Sequence, residues 1–115
     1  MSHKMIETKF NYQLTDEKLI EKVIDDEYVN INHMVLPKGD ALPLHYSNSI
    51  VHMIVVRGNV TLKLDEQPPI AYGAGSILNI PFNTHMDVSN QQDEIAEFFV
   101  VKAPNPRNYK KYVKE

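Results

Sequence analysis

Apolar and polar side chains alternate over residues 29–35, and this period of two is typical of a β-strand with one buried face. Pro37 and Gly39 follow and predict that the strand ends there. One face carries Val29, Ile31, His33 and Val35, and the other carries Asn30, Asn32 and Met34. We expect the more apolar face to be buried, which places His33 on the core side.

Further apolar runs predict short strands over residues 50–56, 60–64, 76–80, 85–88 and 95–102. Gly58-Asn59 separates the first two runs and predicts a tight hairpin turn. Residues 19–24 fit a short helix capped by Thr15 or Asp16 as well as they fit a strand, so their conformation stays open. Short strands between turn signals, with no long helix, favour an antiparallel β-sandwich or barrel.

The composition is that of one ordinary globular domain. The chain has 115 residues, of which 43% are hydrophobic and 23% charged, and it contains no cysteine. Its formal net charge of −3 has the wrong sign for a protein that neutralises phosphates, so we expect no nucleic-acid partner. Apolar runs such as residues 53–56 are far too short to span a membrane. We therefore expect a soluble, cytoplasmic protein without a membrane partner.

Histidines are the main candidates for metal chemistry, because a chain without cysteine must bind a transition metal through imidazole and carboxylate groups. The five are His3, His33, His45, His52 and His85. Three or four donors must converge to hold the ion. We expect His3, close to the N-terminus, to be solvated.

Two spaced motifs resemble those of the cupin superfamily. In the first, Gly39 is followed after five residues by His45, and Gly58 closes the motif. The second comprises Gly75, Pro81, His85 and Asn90. More narrowly, residues 44–49 and 97–104 look like a set of small single-domain cupins of unassigned function.

The resemblance implies an all-β fold, a small antiparallel double-stranded β-helix or jelly-roll barrel. It implies a single domain over residues 1–115 with the barrel core at about 28–103. We expect an N-terminal extension over residues 1–27 and a loosely ordered polar tail over residues 104–115.

The positions that hold a metal in cupins are only partly matched. Ser47 stands where the family has its second histidine, and a hydroxyl is a poor ligand for such ions. One residue is missing from the following segment, so either His52 or Val51 occupies the position of the family's glutamate. In the second motif, strand alternation places Met86 inward and His85 outward.

Three functions remain open at this point. The first is a barrel that binds a small molecule in a cavity lined by His33, His45, Ser47, Met53, Met86 and Phe98. The second, implied by the resemblance, is a metal-dependent isomerase, decarboxylase or dioxygenase in which His45, His52 and a third donor such as His33 hold Fe, Mn, Ni or Zn. The third is a metal-free sugar-type epimerase or isomerase with His45 as general base and Tyr46 or Tyr72 as acid.

The strand expected at residues 95–102 is apolar on both sides. A chain of this size has few layers with which to cover both sides, so the pattern predicts a homodimer.

Overall fold

A computed structural model describes residues 4–113 of the chain, so His3 lies outside the described residues. The strands are β1 (Leu19–Asp25), β2 (Asn30–Leu36), β3 (His45–Tyr46), β4 (Val51–Arg57), β5 (Asn59–Leu64), β6 (Ile70–Gly73), β7 (Ile77–Ile80), β8 (His85–Ser89) and β9 (Ala96–Lys102). A 3₁₀ turn (Pro106–Asn108) and a one-turn helix α1 (Tyr109–Tyr112) follow. Within residues 4–113, no helix has the length and apolar character needed to cross a bilayer.

The strands form two antiparallel sheets around one apolar core. One sheet has five strands in the order β1-β2-β9-β4-β7, and the other has four in the order β3-β8-β5-β6. The core cluster takes Leu36, Met53 and Phe98 from the first sheet and Val60 and Val88 from the second. The antiparallel β-barrel predicted from the sequence is therefore confirmed.

Residues 19–25, whose conformation the sequence left open, form strand β1. The strand pairs with β2 in a register that places Leu19 opposite Val35, with a bulge between Lys22 and Ile24. Its Ile and Val residues favour an extended backbone because branching at Cβ restricts their rotamers in a helix. The five-stranded sheet thus includes part of the predicted N-terminal extension.

The hairpin predicted at Gly58-Asn59 is wrong. β4 pairs with β7 and β9, whereas β5 pairs with β6 and β8, so the chain crosses between the sheets at this point. Gly58 has a φ of 67°, and a Cβ atom there would lie 2.1 Å from the carbonyl oxygen of Ile95. Gly58 therefore forms a corner packed against the start of β9, where a side chain has no room.

Both faces of β2 are buried, and the inner face is the one opposite to our expectation. Met34 and Leu36 belong to the core cluster, whereas His33 lies on the outer face of the five-stranded sheet. The N-terminal segment covers this outer face, where the ring of Tyr12 lies 4.7 Å from that of His33 and 5.0 Å from that of Phe99. The predicted inward orientation of His33 is therefore wrong, because alternation alone does not distinguish between two buried faces.

Residues 104–113 of the C-terminal tail pack against the barrel, so for this part of the tail the expectation of loose order is wrong. The buried side chain of Asn105 donates hydrogen bonds to Asp25 Oδ1 at 2.6 Å and to the Asp26 carbonyl oxygen at 2.8 Å. The ring of Tyr109 stacks on that of Phe82 with 4.0 Å between the centroids. The Asn105 amide and the Phe82–Tyr109 ring pair thus hold the tail against the barrel, although its sequence is mostly polar.

Candidate functional site

A small cavity of about 40 Å³ lies between the inner faces of the two sheets. Alternation along β4 and β8 places Val51, Met53 and Met86 on the inside. The apolar part of the wall includes Met34, Leu42, Val51, Met53, Met86 and Val88. The polar part consists of His45, Ser47, Asn48 and Lys102. The structure thus brings together four of the predicted cavity residues, His45, Ser47, Met53 and Met86.

His45 contributes its imidazole to the cavity wall. Its Nδ1 atom lies 2.8 Å from the carbonyl oxygen of Pro43. Since a carbonyl oxygen only accepts, Nδ1 is the donor in this contact, and Nε2 has no hydrogen-bond partner within residues 4–113. In the neutral tautomer with its proton on Nδ1, Nε2 would accept a hydrogen bond from a molecule in the cavity.

Ser47 lines the cavity, but its hydroxyl is already engaged by the fold. Its Oγ donates to the Pro81 carbonyl oxygen at 2.6 Å and accepts from the Thr84 backbone N–H at 2.8 Å. These two bonds tie β3 to the segment that precedes β8. A ligand would therefore find an occupied donor at Ser47, and His45 is the more available polar contact.

Two of the predicted cavity residues do not line the cavity. Phe98 is completely buried within the core cluster. His33 is completely buried outside the barrel, where Nδ1 lies 3.1 Å from Glu21 Oε2 and Nε2 lies 2.6 Å from Glu97 Oε2. Its imidazole joins the N-terminal half of the chain to β9 and makes no contact with the interior.

His52 faces away from the cavity, so its predicted pairing with His45 in a metal site is wrong. Val51 and Met53, on either side of it in β4, point inward, and His52 Nε2 accepts a hydrogen bond from Asn79 Nδ2 at 3.2 Å. The missing residue therefore falls before this position, and Val51 occupies the glutamate position of the family motif.

The donor set around the cavity does not fit a transition metal. Such an ion needs three or four converging nitrogen, oxygen or sulfur ligands. Among residues 4–113, no three histidine, cysteine, aspartate or glutamate side chains come together in that way. His45 is the one imidazole in the cavity wall, and neither Asn48 nor a methionine replaces the absent carboxylate.

The acids suggested for a metal-free epimerase are not placed beside His45. Tyr46 is largely exposed, and its ring contacts that of His85 on the outer side of the small sheet. Tyr72 packs against the core cluster and is absent from the cavity wall. His85 points outward and Met86 inward, as the alternation predicts.

A polar cleft of about 330 Å³ adjoins the cavity, and the two share Asn48 and Lys102 in their walls. Inward-facing positions of β2 and β9 run from the core into this cleft. Along β9 the apolar residues Phe98 and Val100 lead to Lys102, which is opposite Asn30 in β2. The rest of the cleft is supplied mainly by Lys22, Asp25, Asn32, Asn105 and Arg107.

The charges in this cleft are unevenly paired. Asp25 lies 2.8 Å from Arg107 Nη1 and 3.6 Å from Lys22 Nζ, and the hydrogen bond from Asn105 is the main cause of its lowered pKa. The ammonium group of Lys102, in contrast, has no hydrogen bond or ion pair within residues 4–113. Burial, and to a lesser extent the charge of Lys22, lower the pKa of Lys102 because both disfavour the ammonium form.

This cleft was not predicted from the sequence. The available signal was the polar end of each inward series, where Asn30 and Asn32 precede Met34 and Lys102 follows Val100. Recognising the cleft from this pattern requires knowing which face of β2 is internal, and alternation predicted the opposite face.

Comparisons with known proteins agree with the observed architecture. No family model matches the sequence. An uncharacterized protein of Methanocaldococcus jannaschii is 46% identical over 104 residues, which cover 90% of each chain. A crystal structure from the same organism, described as an RmlC-like cupin family protein with a double-stranded β-helix fold, has 45% identity and a TM-score of 0.88, and the match covers 91% of this chain and 97% of that one. A cupin superfamily protein of Desulfitobacterium hafniense has 11% identity and a TM-score of 0.69, covers 82% and 84% of the two chains, and is similar in fold alone.

Proposed function

This chain belongs to the cupin superfamily, and we propose that it binds a small molecule whose apolar end enters the barrel cavity beside His45. The observation that carries the proposal is the imidazole of His45 in the wall of an otherwise mostly apolar interior, with Nδ1 held by Pro43 and Nε2 without a partner within residues 4–113. Sites of this kind combine an apolar lining with a few placed polar groups. His45 would orient the ligand, and the adaptable side chains of Met53 and Met86 would pack against it.

The size of the cavity limits what enters it. A volume of about 40 Å³ holds roughly three water molecules, since one occupies about 10–15 Å³ on this measure. Only a short apolar group fits inside, and the remainder of the ligand would lie in the adjoining cleft. The ligand class is therefore a small amphipathic molecule.

Thermal unfolding with butan-1-ol, butyramide and butyrate tests the proposal. We expect at least one of these probes to raise the melting temperature, because a ligand that binds only the folded state stabilises it by mass action. The variant His45→Ala should bind tenfold more weakly, which at a concentration near one hundred times Kd roughly halves the stabilisation.

The matched control is His52→Ala, which removes an imidazole from the outer face of the same barrel. It should respond to each probe as the wild type does. The proposal is wrong if no probe stabilises the wild type, or if His45→Ala shifts as much as the wild type does.

We also propose that the protein is a homodimer, on different grounds from those of the sequence. Tyr12 already covers Phe99 on the outer face of β9, but the N-terminal arm, residues 4–14, leaves Ile6 fully exposed and Leu14 83% exposed. The radius of gyration, 15.5 Å, exceeds the roughly 13 Å typical of a compact chain of this length. The apolar side chains of Ile6 and Leu14, which the barrel does not cover, suit the surface of a second copy.

Sedimentation at micromolar concentration checks this prediction. We expect the wild type to sediment as a dimer and the double variant Ile6→Asp, Leu14→Asp to sediment as a folded monomer, because a buried carboxylate opposes association. A monomeric wild type would contradict the proposal.

A further inference from the structure

We propose that Lys102 binds the acid group of a small organic anion, whose apolar end occupies the cavity beside His45. This inference rests on the proposed function and adds two points: the ligand is negatively charged, and Lys102 binds its charged group. The observation behind it is a single lysine shared by an apolar cavity and a polar cleft.

The position of Lys102 follows from the strand that carries it. Phe98 and Val100 of β9 face the core, so alternation brings Lys102, two residues further on, to the same side. It lies opposite Asn30 of β2 and opposite Val51 of β4 in the two ladders. A molecule that reaches from the cleft into the cavity must pass this side chain.

The local charge favours an anion although the whole chain has a net charge of −3. The cleft wall contains the cations of Lys22, Lys102 and Arg107 but only one carboxylate, that of Asp25. Asp25 is engaged by Arg107, Lys22 and Asn105, so it leaves Lys102 without a counter-charge. An unpaired, partly buried ammonium costs free energy, and a bound acid group offsets that cost through a charge-assisted hydrogen bond.

Amide groups beside Lys102 supply further contacts. Asn30 is nearly buried, and its Oδ1 accepts from Asn32 Nδ2 at 2.8 Å, which orients the Asn30 amide. The Nδ2 atom of Asn30 has no hydrogen-bond partner within residues 4–113 and remains a free donor at the cleft. An ammonium and an amide N–H at one place form a site for two oxygen atoms of the same acid group.

Lys102 is poorly explained as a structural residue. Buried lysines are usually paired, whereas Lys102 is partly buried, burial lowers its pKa, and its ammonium group has no partner within residues 4–113. If the residue serves the fold alone, replacing it with an apolar side chain should be harmless or stabilising. If it serves a ligand, the same replacement should remove binding.

The experiment uses butyrate as the anionic probe and butyramide as its neutral isostere, with affinities measured by calorimetry. The variant Lys102→Met keeps an unbranched apolar stem and removes the charge. We expect wild-type protein to prefer butyrate over butyramide, and Lys102→Met to bind butyrate at least tenfold more weakly with its butyramide affinity unchanged. Lys63→Met, in β5 outside both walls, is the matched control and should bind as the wild type does.

The thermal stability of the ligand-free Lys102→Met variant provides a second test of the inference. Lys102→Met should unfold at the wild-type temperature or above it, because an unpaired ammonium is removed from a partly buried site. A marked loss of stability in this variant would show that Lys102 supports the fold, and would overturn the inference.

The other outcomes separate the inference from the proposed function. Equal binding of butyrate and butyramide that depends on His45 leaves a ligand-binding cavity but overturns the role of Lys102. Inorganic phosphate binding as tightly as butyrate would overturn the apolar part of the ligand. If neither butyrate nor butyramide binds, the role of Lys102 is overturned, and if butan-1-ol also fails to bind, the proposed function is overturned with it.

Discussion

Replacing Gly58 with alanine should lower the free energy of unfolding by about 3 kcal/mol or more. The added Cβ would lie 2.1 Å from the Ile95 carbonyl oxygen, so the corner between the two sheets must open. The residue also has a φ of 67°, a left-handed conformation that costs an alanine roughly 1–2 kcal/mol without any contact. The urea midpoint should fall with little change in the slope of the transition.

Gly75→Ala is the matched control for this prediction. Gly75 also has a positive φ, of 95°, but a Cβ atom there would have nothing within 4 Å. This variant should lose only the conformational part, about 1 kcal/mol. Equal losses in the two variants would mean that the contact with Ile95 is relieved without cost, and the corner would not be the reason for the glycine.

Replacing His33 with leucine should cost about 3 kcal/mol. His33 is completely buried, and each of its ring nitrogens faces a carboxylate oxygen, one of Glu21 and one of Glu97. The imidazole therefore links the carboxylates of Glu21 and Glu97 across the sheet. Leucine would leave Glu21 without this partner and Glu97 with Arg57 alone, and removing one member of a buried polar network is strongly destabilising.

His52→Leu provides the comparison for His33→Leu, because His52 is partly exposed and has a single side-chain partner, Asn79. We expect it to change stability by less than about 1 kcal/mol. The double variant His33→Leu, Glu21→Gln should recover part of the loss, since it removes the negative charge of Glu21. Urea denaturation measures all three variants, and equal stability of the two leucine variants would show that the buried network contributes nothing.

The same network explains why His33 was misplaced in the sequence analysis. A histidine among Val29, Ile31 and Val35 indicates a buried face, and the face is indeed buried. It is covered by Tyr12 of the N-terminal segment instead of by the second sheet. Alternation along a strand indicates that a face is buried, but it does not indicate which segment covers that face.

The candidate site likewise contains some positions that alternation predicts and others that it leaves open. The inward position of Met86 and the outward position of His85 follow from alternation around a motif with known spacing. The side on which His52 lies depends on where one missing residue falls, and a shift by one residue exchanges the two faces of a strand. The order of residues along the chain is compatible with either placement.

Alternation and turn residues are local properties, so the sequence was sufficient for the all-β class and the positions of the main strands, and the resemblance of its two spaced motifs to those of cupins implied the barrel. Whether Gly58 makes a hairpin or a corner, which face of β2 is internal, and where the lysine and amide groups of the cleft meet depended on contacts between distant segments. Lys22, Asn30, Asn48 and Lys102 approach one another only because antiparallel pairing stacks their strands and loops. This proximity arises only when the sheets pack together, so the residues adjacent in the sequence do not indicate it.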